Sequence, residues 1–284
     1  MRVVSTPLAP TAALPRDFLI VTLDFEHAAN GASMHHVEPY EWEIACASIT
    51  NGLPQLLDAP RGGYIRTSRT LPARLREHFP HAPSDVVLMS PSTPSEAEAA
   101  MIMLRTLADL QQRHRLPILL VAHSTSTDLR IFSGLLLRCG WQPAQVLGEC
   151  GVVQVLDTLK LFGKQSLAEL VATHAPTASS LGQVHTASVD ANMLRHVLVS
   201  PGGTTALCSC SCASPVRILQ DEALSAQVRL NIDVISQGEA MARHLEVAGG
   251  LGVLVRYASL SRVAGAHCVY RDVYHGNGTV GYAE

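Results

Sequence analysis

Aromatic side chains are scarce in this chain: two Trp, six Tyr and five Phe make up 5% of its 284 residues. So few rings leave little material for stacking on nucleobases. A basic excess is missing too, with 21 Lys and Arg against 24 Asp and Glu and a formal net charge of −3; tight duplex binders usually show a strong positive excess. No apolar run is long enough to span a bilayer. Met1 to Pro15 lacks the charged head and continuous apolar stretch of a secretory signal. Arg2 in an acid-free leader leaves organellar targeting open, and cytoplasm or nucleus is the default expectation. Seven cysteines, an odd number without a secretory signal, argue for reduced thiols. No internal repeat is visible. What is present is 47% hydrophobic content, enough to bury a full α/β core with room for a second small unit.

Three short clusters carry the chemistry. Phe18-Leu19-Ile20-Val21-Thr22-Leu23 is an apolar, β-rich run ending on Asp24, so it reads as a buried strand that delivers an acid at its C-terminal end. Side chains alternate across a strand, which puts Asp24 and Glu26 on one face and Phe25 on the other. Pro117 to Ala122 is a second strand-like run. It leads through His123-Ser124-Thr125-Ser126-Thr127 to Asp128 and a helix with apolar positions at Leu129, Phe132 and Leu136. Asp128 falls in the first helical turn, behind a polar stretch able to cap it. In the third cluster, His185-Thr186-Ala187-Ser188-Val189-Asp190-Ala191, a helix is supported by Val189, Met193, Leu194 and Val197. Five helical positions turn through roughly 140°, so His185 and Asp190 reach one site only if His185 lies on the loop before the helix.

The set Asp24, Glu26, Asp128, His185 and Asp190, in that order, resembles the active site of the DEDDh 3′ to 5′ exonucleases. Ala122 to Asp128 resembles the family's Ala-His-Asn-x-x-Phe-Asp, with Ser124 standing for Asn and Thr127 for Phe. His185 to Ala191 matches His-x-Ala-x-x-Asp-Ala without departure. Asp24-Phe25-Glu26 resembles, loosely, the first motif of the members that trim RNA 3′ ends, with His27 in place of their small residue. The resemblance covers residues 17 to 199. It implies Asp24, Glu26, Asp128 and Asp190 as ligands of two Mg²⁺ or Mn²⁺ ions and His185 as the general base that takes a proton from the attacking water, a task suited to a group whose unperturbed pKa is about 6.5. Carboxylate oxygens are the ligands such hard cations take, and two ions stabilise both the attacking and the leaving oxygen of a phosphodiester.

The implied activity is hydrolysis of single-stranded nucleic acid from its 3′ end, RNA favoured over DNA, releasing nucleoside 5′-monophosphates. Phe25, His27, His123 and Ser124 are the candidate substrate-binding residues. The alternatives are an exonuclease-fold scaffold that binds nucleic acid without catalysis and a hydrolase of very short oligonucleotides, the latter favoured by the low charge and few rings.

The fold that goes with the resemblance is ribonuclease H-like: three antiparallel strands, a helix, then alternating strands and helices around a mixed sheet. Trp42 to Thr50 reads as the second strand and Gly63 to Thr67 as the third. Thr93-Pro94-Ser95-Glu96 has the form of a capping box, before a helix with Ala97, Met101, Leu104 and Ala108 on one stripe. Val152 to Leu159 reads as a later strand and Ser166 to Thr173 as a capped short helix. The expected organisation is a leader (1–16), a nuclease domain (17–199) and a C-terminal extension (200–284) that guides substrate or forms homo-oligomers. Pro201-Gly202-Gly203-Thr204-Thr205 reads as a linker. Beyond it lie a helix over Ile235 to Val247 and a strand over Gly252 to Tyr257. Cys208, Cys210 and Cys212, with His267 and Cys268, are weighed as a zinc site, although alternate-position cysteines depart from the usual spacing.

Overall fold

The run that begins at Phe18 forms β1 (Phe18–His27), longer than the sequence marks, and it lies inside the sheet with a strand on either side. In this computed structural model the described residues are 13–28, 37–124, 127–182, 185–216 and 219. β1 pairs antiparallel with β2 (Pro39–Thr50), so that Asp24 lies opposite Glu43 and Glu26 opposite Glu41. A two-residue turn, Asn51-Gly52, with both φ angles positive (53° and 75°), folds β2 back into β3 (Leu53–Leu56). Two positive φ values are what a tight hairpin needs to match strand twist. β4 (Arg61–Tyr64) also pairs with β2 and is the strand expected a few residues later. β5 (Ile118–Ala122) and β6 (Val152–Asp157) then add parallel to β1, and β7 (Ser214–Pro215) closes the far margin antiparallel to β6. Among the described residues the order is β3-β2-β1-β5-β6-β7, a mixed sheet of seven strands with β4 beside β3 on β2. Antiparallel strands followed by parallel ones is the order expected. Among the described strands, Pro54 in β3 and Pro215 in β7 sit at the two margins.

The sheet divides the core in two because alternate β1 residues face opposite ways. Leu19, Val21, Leu23 and Phe25 pack under α3 (Glu96–His114), α4 (Asp128–Arg138) and α5 (Pro143–Glu149). Phe18 and Ile20 pack under α7 (Leu167–His174) and α8 (Ala187–Val199), joined by a 3₁₀ turn over Pro176–Leu181. Each large apolar side chain buried this way contributes about 1.5–3 kcal/mol. The short helices α1 (Ala73–His78) and α2 (Asp85–Leu88) cover Tyr40 and Leu71 in a small satellite core, and α6 (Thr158–Leu161) follows β6 directly. Arg138 of α4 donates from Nε and Nη2 to the Glu96 carboxylate of α3 at 2.9 and 2.7 Å, which fixes the two helices side by side.

Several local expectations shift. The capping box of α3 is formed by Ser95 and Glu98 rather than Thr93 and Glu96, because the Thr93 hydroxyl donates to Val87 O. The buried stripe moves with it to Ala99, Ala100, Met103, Leu104, Leu107 and Leu110, leaving Ala97 and Met101 exposed. Thr127 makes no side-chain cap for α4. α7 has the capping box of Ser166 and Glu169 that was expected.

Residues 201–205 are not a linker. They open α9 (Pro201–Cys208), capped by Ser200, whose hydroxyl accepts from Gly203 N–H. A Cβ on Gly203 would lie 2.0 Å from Val197 O, so this glycine permits backbone contact between α9 and α8. The chain divides into two units after Gln220, and the sheet-bearing unit therefore continues past residue 199. The helix over 235–247, the strand over 252–257, His267 and Cys268 lie outside the described residues. Among the described residues no helix is long and apolar enough to cross a membrane.

Candidate metal centre

Strand alternation and register assemble the acids. Asp24 and Glu26 leave β1 on the α8 face, and Asp190 enters from the first turn of α8. Carboxylate oxygens of Asp24, Glu26 and Asp190 all lie within 4.8 Å of one another, the single such group of three metal-ligand side chains among the described residues. Asp128 comes from the first turn of α4, is 5% exposed and accepts from Phe25 N–H at 3.3 Å. That bond joins the tip of β1 to the start of α4. Two clusters 104 positions apart in the chain are thereby held together.

Burial and like charge act in one direction on these groups. The Asp24 carboxyl is raised well above its ordinary value, first by burial and then by Asp128, Asp190, Glu26 and Glu41. Glu26 is pushed up to about 8 by burial, with Asp190, Glu41 and Asp128 adding to it. Burial lifts Asp128 to about 7 against the opposing hydrogen bonds from Phe25, Ser124 and its own N–H. Asp190 is raised by burial and partly relieved by the backbone N–H and the charge of His185. Desolvated acids that repel one another are destabilised as anions, and a bound cation removes that cost.

The donor set fits a hard divalent cation. All the converging atoms are carboxylate oxygens, the ligands Mg²⁺ and Mn²⁺ take, and Asp190 Oδ1 is buried with no hydrogen-bond partner. An orphaned buried acceptor beside three other acids is a position that a cation would satisfy.

His185 lies in the bend before α8, as the turn angle required, with a left-handed φ of 70°. Its N–H donates to Asp190 Oδ2 at 3.0 Å, and its exposed ring meets the edge of Phe79 at a centroid distance of 5.3 Å. A cavity of about 730 Å³ opens beside it, lined in part by Phe79, His81, Val171, Ser179 and Met193.

The candidate substrate residues separate. Phe25 is 4% exposed and packs on Phe132 at 6.0 Å, so its ring is core and it offers the site only its N–H. Strand alternation dictates this, since Phe25 faces away from its two acidic neighbours. His27 is half-buried at the irregular end of β1, its Nδ1 buried without a partner and its pKa lowered by burial. His123 Nδ1 lies 3.0 Å from Thr158 Oγ1, and Ser124 Oγ lies 3.3 Å from Thr127 Oγ1.

Two acids escaped the sequence reading. Glu41 and Glu43 face Glu26 and Asp24 across the β1–β2 ladder. Glu41 is raised by burial, lowered by the Ser188 N–H and raised by Asp190, while Glu43 is pushed up to about 7, mainly by burial. The signal was the alternation Glu41-Trp42-Glu43, legible only once the register is known. Cys210 and Cys212 bring their sulfurs 2.7 Å apart and Cys208 is exposed; among the described residues these cysteines form no cluster of three ligands.

No family model matches the chain, and no curated protein does. Among solved structures, the nuclease domain of 3′hExo, a DEDDh family member bound to rAMP, overlays with a TM-score of 0.46 at 11% identity, covering 64% of this chain and 90% of that one. A full-length 3′-exonuclease overlays with the same score and identity, over 64% of this chain and 80% of that one. An exonuclease I overlays at 0.46 and 9% identity, over 66% of this chain. The match spans 42% of that exonuclease I.

Proposed function

We propose that this protein is a metal-dependent 3′ to 5′ exonuclease acting on single-stranded nucleic acid, RNA in preference to DNA. The observation that supports it most is the meeting of Asp24, Glu26 and Asp190 oxygens within 4.8 Å, with Asp128 tied to the same strand tip. Asp24, Glu26, Asp128 and Asp190 would hold two Mg²⁺ or Mn²⁺ ions, which supply charge stabilisation at the attacking and leaving oxygens of the phosphodiester. Phe25 N–H and His185 N–H orient two of these acids from the backbone. His185, exposed beside Asp190, takes the proton of the attacking water at a ring nitrogen. Products are nucleoside 5′-monophosphates. The RNA preference rests on Asp24-Phe25-Glu26, which resembles the RNA-trimming members.

A time course on 3′-labelled and 5′-labelled single-stranded RNA and DNA, with Mg²⁺, Mn²⁺ or EDTA and beside Asp24→Ala, tests this. The expected result is a metal-dependent ladder shortening from the 3′ end, faster on RNA and absent in the variant. Binding without cleavage would replace the enzyme by a scaffold.

A further inference from the structure

The proposed centre requires α8 to lie on the sheet at one particular roll, and a buried cation outside the acidic cluster ties this helix to the sheet. Arg195 is 6% exposed. Its Nη1 donates to Cys46 O at 3.2 Å, Leu57 O at 2.8 Å and Asp58 O at 2.9 Å, and its Nη2 donates to Asn192 Oδ1 at 2.6 Å. A guanidinium leaves water at high cost unless its donors find partners; here Nη1 finds backbone carbonyls at the end of the β2–β3 hairpin and Nη2 finds Asn192, while the buried Nε has no partner. That anchorage is braced from the opposite face of the sheet, where the Asp58 carboxylate pairs with Arg113 of α3.

Successive side chains on a helix advance by about 100°. Ala187, Ala191, Leu194 and Leu198 form the buried ridge against the sheet, and Thr22 Oγ1 donates to Ala191 O at 2.7 Å, which sets how deeply the helix sits. Asp190 and Arg195, about 140° apart, flank this ridge on opposite sides. A rotation of α8 that draws one toward the sheet lifts the other away, so a pin at Arg195 fixes the carboxylate at Asp190.

We propose that Arg195 is a positioning residue for divalent-cation binding: by clamping α8 to the β2–β3 hairpin it holds Asp190 within reach of Asp24 and Glu26. This rests on the reading of the cluster as a metal centre. With side chains about 5–6 Å from the helix axis, a roll of about 10° moves the Asp190 carboxylate by about 1 Å, a displacement that costs on the order of 10²-fold in rate. Charge alone acts the other way. Arg195 interacts with Glu43, which lies opposite Asp24, and removing a cation beside acids should tighten cation binding, so a weakening reports position.

The probe is Mn²⁺ alone, titrated by calorimetry into Arg195→Met, Arg195→Lys and Asn192→Ala, with circular dichroism confirming the fold and kcat and KM then measured on a 3′-labelled oligonucleotide. The expected result is Mn²⁺ binding about tenfold weaker in both Arg195 variants, in the range found for residues that orient metal ligands. Lysine fails because one ammonium cannot span three carbonyls and Asn192. kcat should fall by about 10²-fold with KM within about twofold. A folded Arg195→Met with a Mn²⁺ affinity within about twofold of the parent overturns the proposal. If both Arg195 variants fail to fold, Asn192→Ala decides: about threefold weaker binding supports the clamp, and unchanged binding overturns it. A parent protein that binds Mn²⁺ but cleaves nothing refutes the nuclease while the titrations still judge Arg195. One that binds no Mn²⁺ overturns both.

Discussion

Replacing Glu26 by Gln should stabilise the metal-free protein at alkaline pH while removing the proposed nuclease activity. Glu26 ordinarily titrates near 4.5 and is pushed up to about 8 in the folded chain, first by burial and then by Asp190, Glu41 and Asp128. A carboxyl whose folded value is raised keeps its proton in the native state where the unfolded chain has released it, so its contribution is complete below about 4.5 and lost as pH rises through about 8. At about 1.4 kcal/mol per unit, the shift corresponds to roughly 4–5 kcal/mol for an isolated group. Because its neighbours relieve one another when any of them is protonated, about half of that, ~2 kcal/mol, is expected from Glu26 alone.

Thermal unfolding in EDTA at pH 5, 7 and 8.5 reads this directly. The parent should melt progressively lower from pH 5 to 8.5, and Mg²⁺ at pH 8.5 should raise the midpoint again, since a ligand of the native state alone stabilises it. Glu26→Gln should flatten the profile and melt roughly 4–8 °C higher than the parent at pH 8.5 without metal. A midpoint at pH 8.5 that is equal to or below the parent's would refute the picture of mutually repelling, desolvated acids.

Other outcomes follow from the same geometry. Asp24→Ala should abolish hydrolysis with the fold intact; retention of more than a few per cent of parental activity in the gel assay would sink the assignment. His185→Ala should lower kcat by about 10²–10⁴-fold yet leave the calorimetric Mn²⁺ affinity within about twofold, whereas lost binding would make His185 a ligand and not a base. Gly62→Ala would place a Cβ 2.0 Å from Glu43 Oε2 and 2.4 Å from Trp42 O. It should cost about 1–3 kcal/mol in a denaturant melt, and a neutral result would mean that β4 is free to shift.

The acids on β1 and α8 were legible because burial wrote them into the local pattern. A continuous apolar run leaves one reading for Phe18 to Leu23, and the helix face of Met193, Leu194 and Val197 fixes where Asp190 falls. Tertiary choices left no such mark. Thr93-x-x-Glu96 and Ser95-x-x-Glu98 are equal as capping boxes, and the winner was set by a hydroxyl bond from Thr93 to a carbonyl in another segment. β3 is exposed along its length and carries no period to read; its register follows from the Asn51-Gly52 turn. Glu41 became visible only through its pairing with Glu26. Glycine at 203 looked like freedom and is close packing.

The prolines at the two margins of the sheet bear on how the protein survives in a crowded solution. A strand at an open margin offers a ladder of N–H and C=O groups to any passing chain, the first step toward fibrils. β3 and β7 are short, and Pro54 and Pro215 each delete a donor from the ladder that an incoming strand would need. Leu53 at 72% exposure is an apolar side chain at such a margin, and the adjacent Pro54 withholds a backbone donor there. Pro54→Thr would restore the missing donor beside that leucine, turning a protected border into a seed for aggregation on heating.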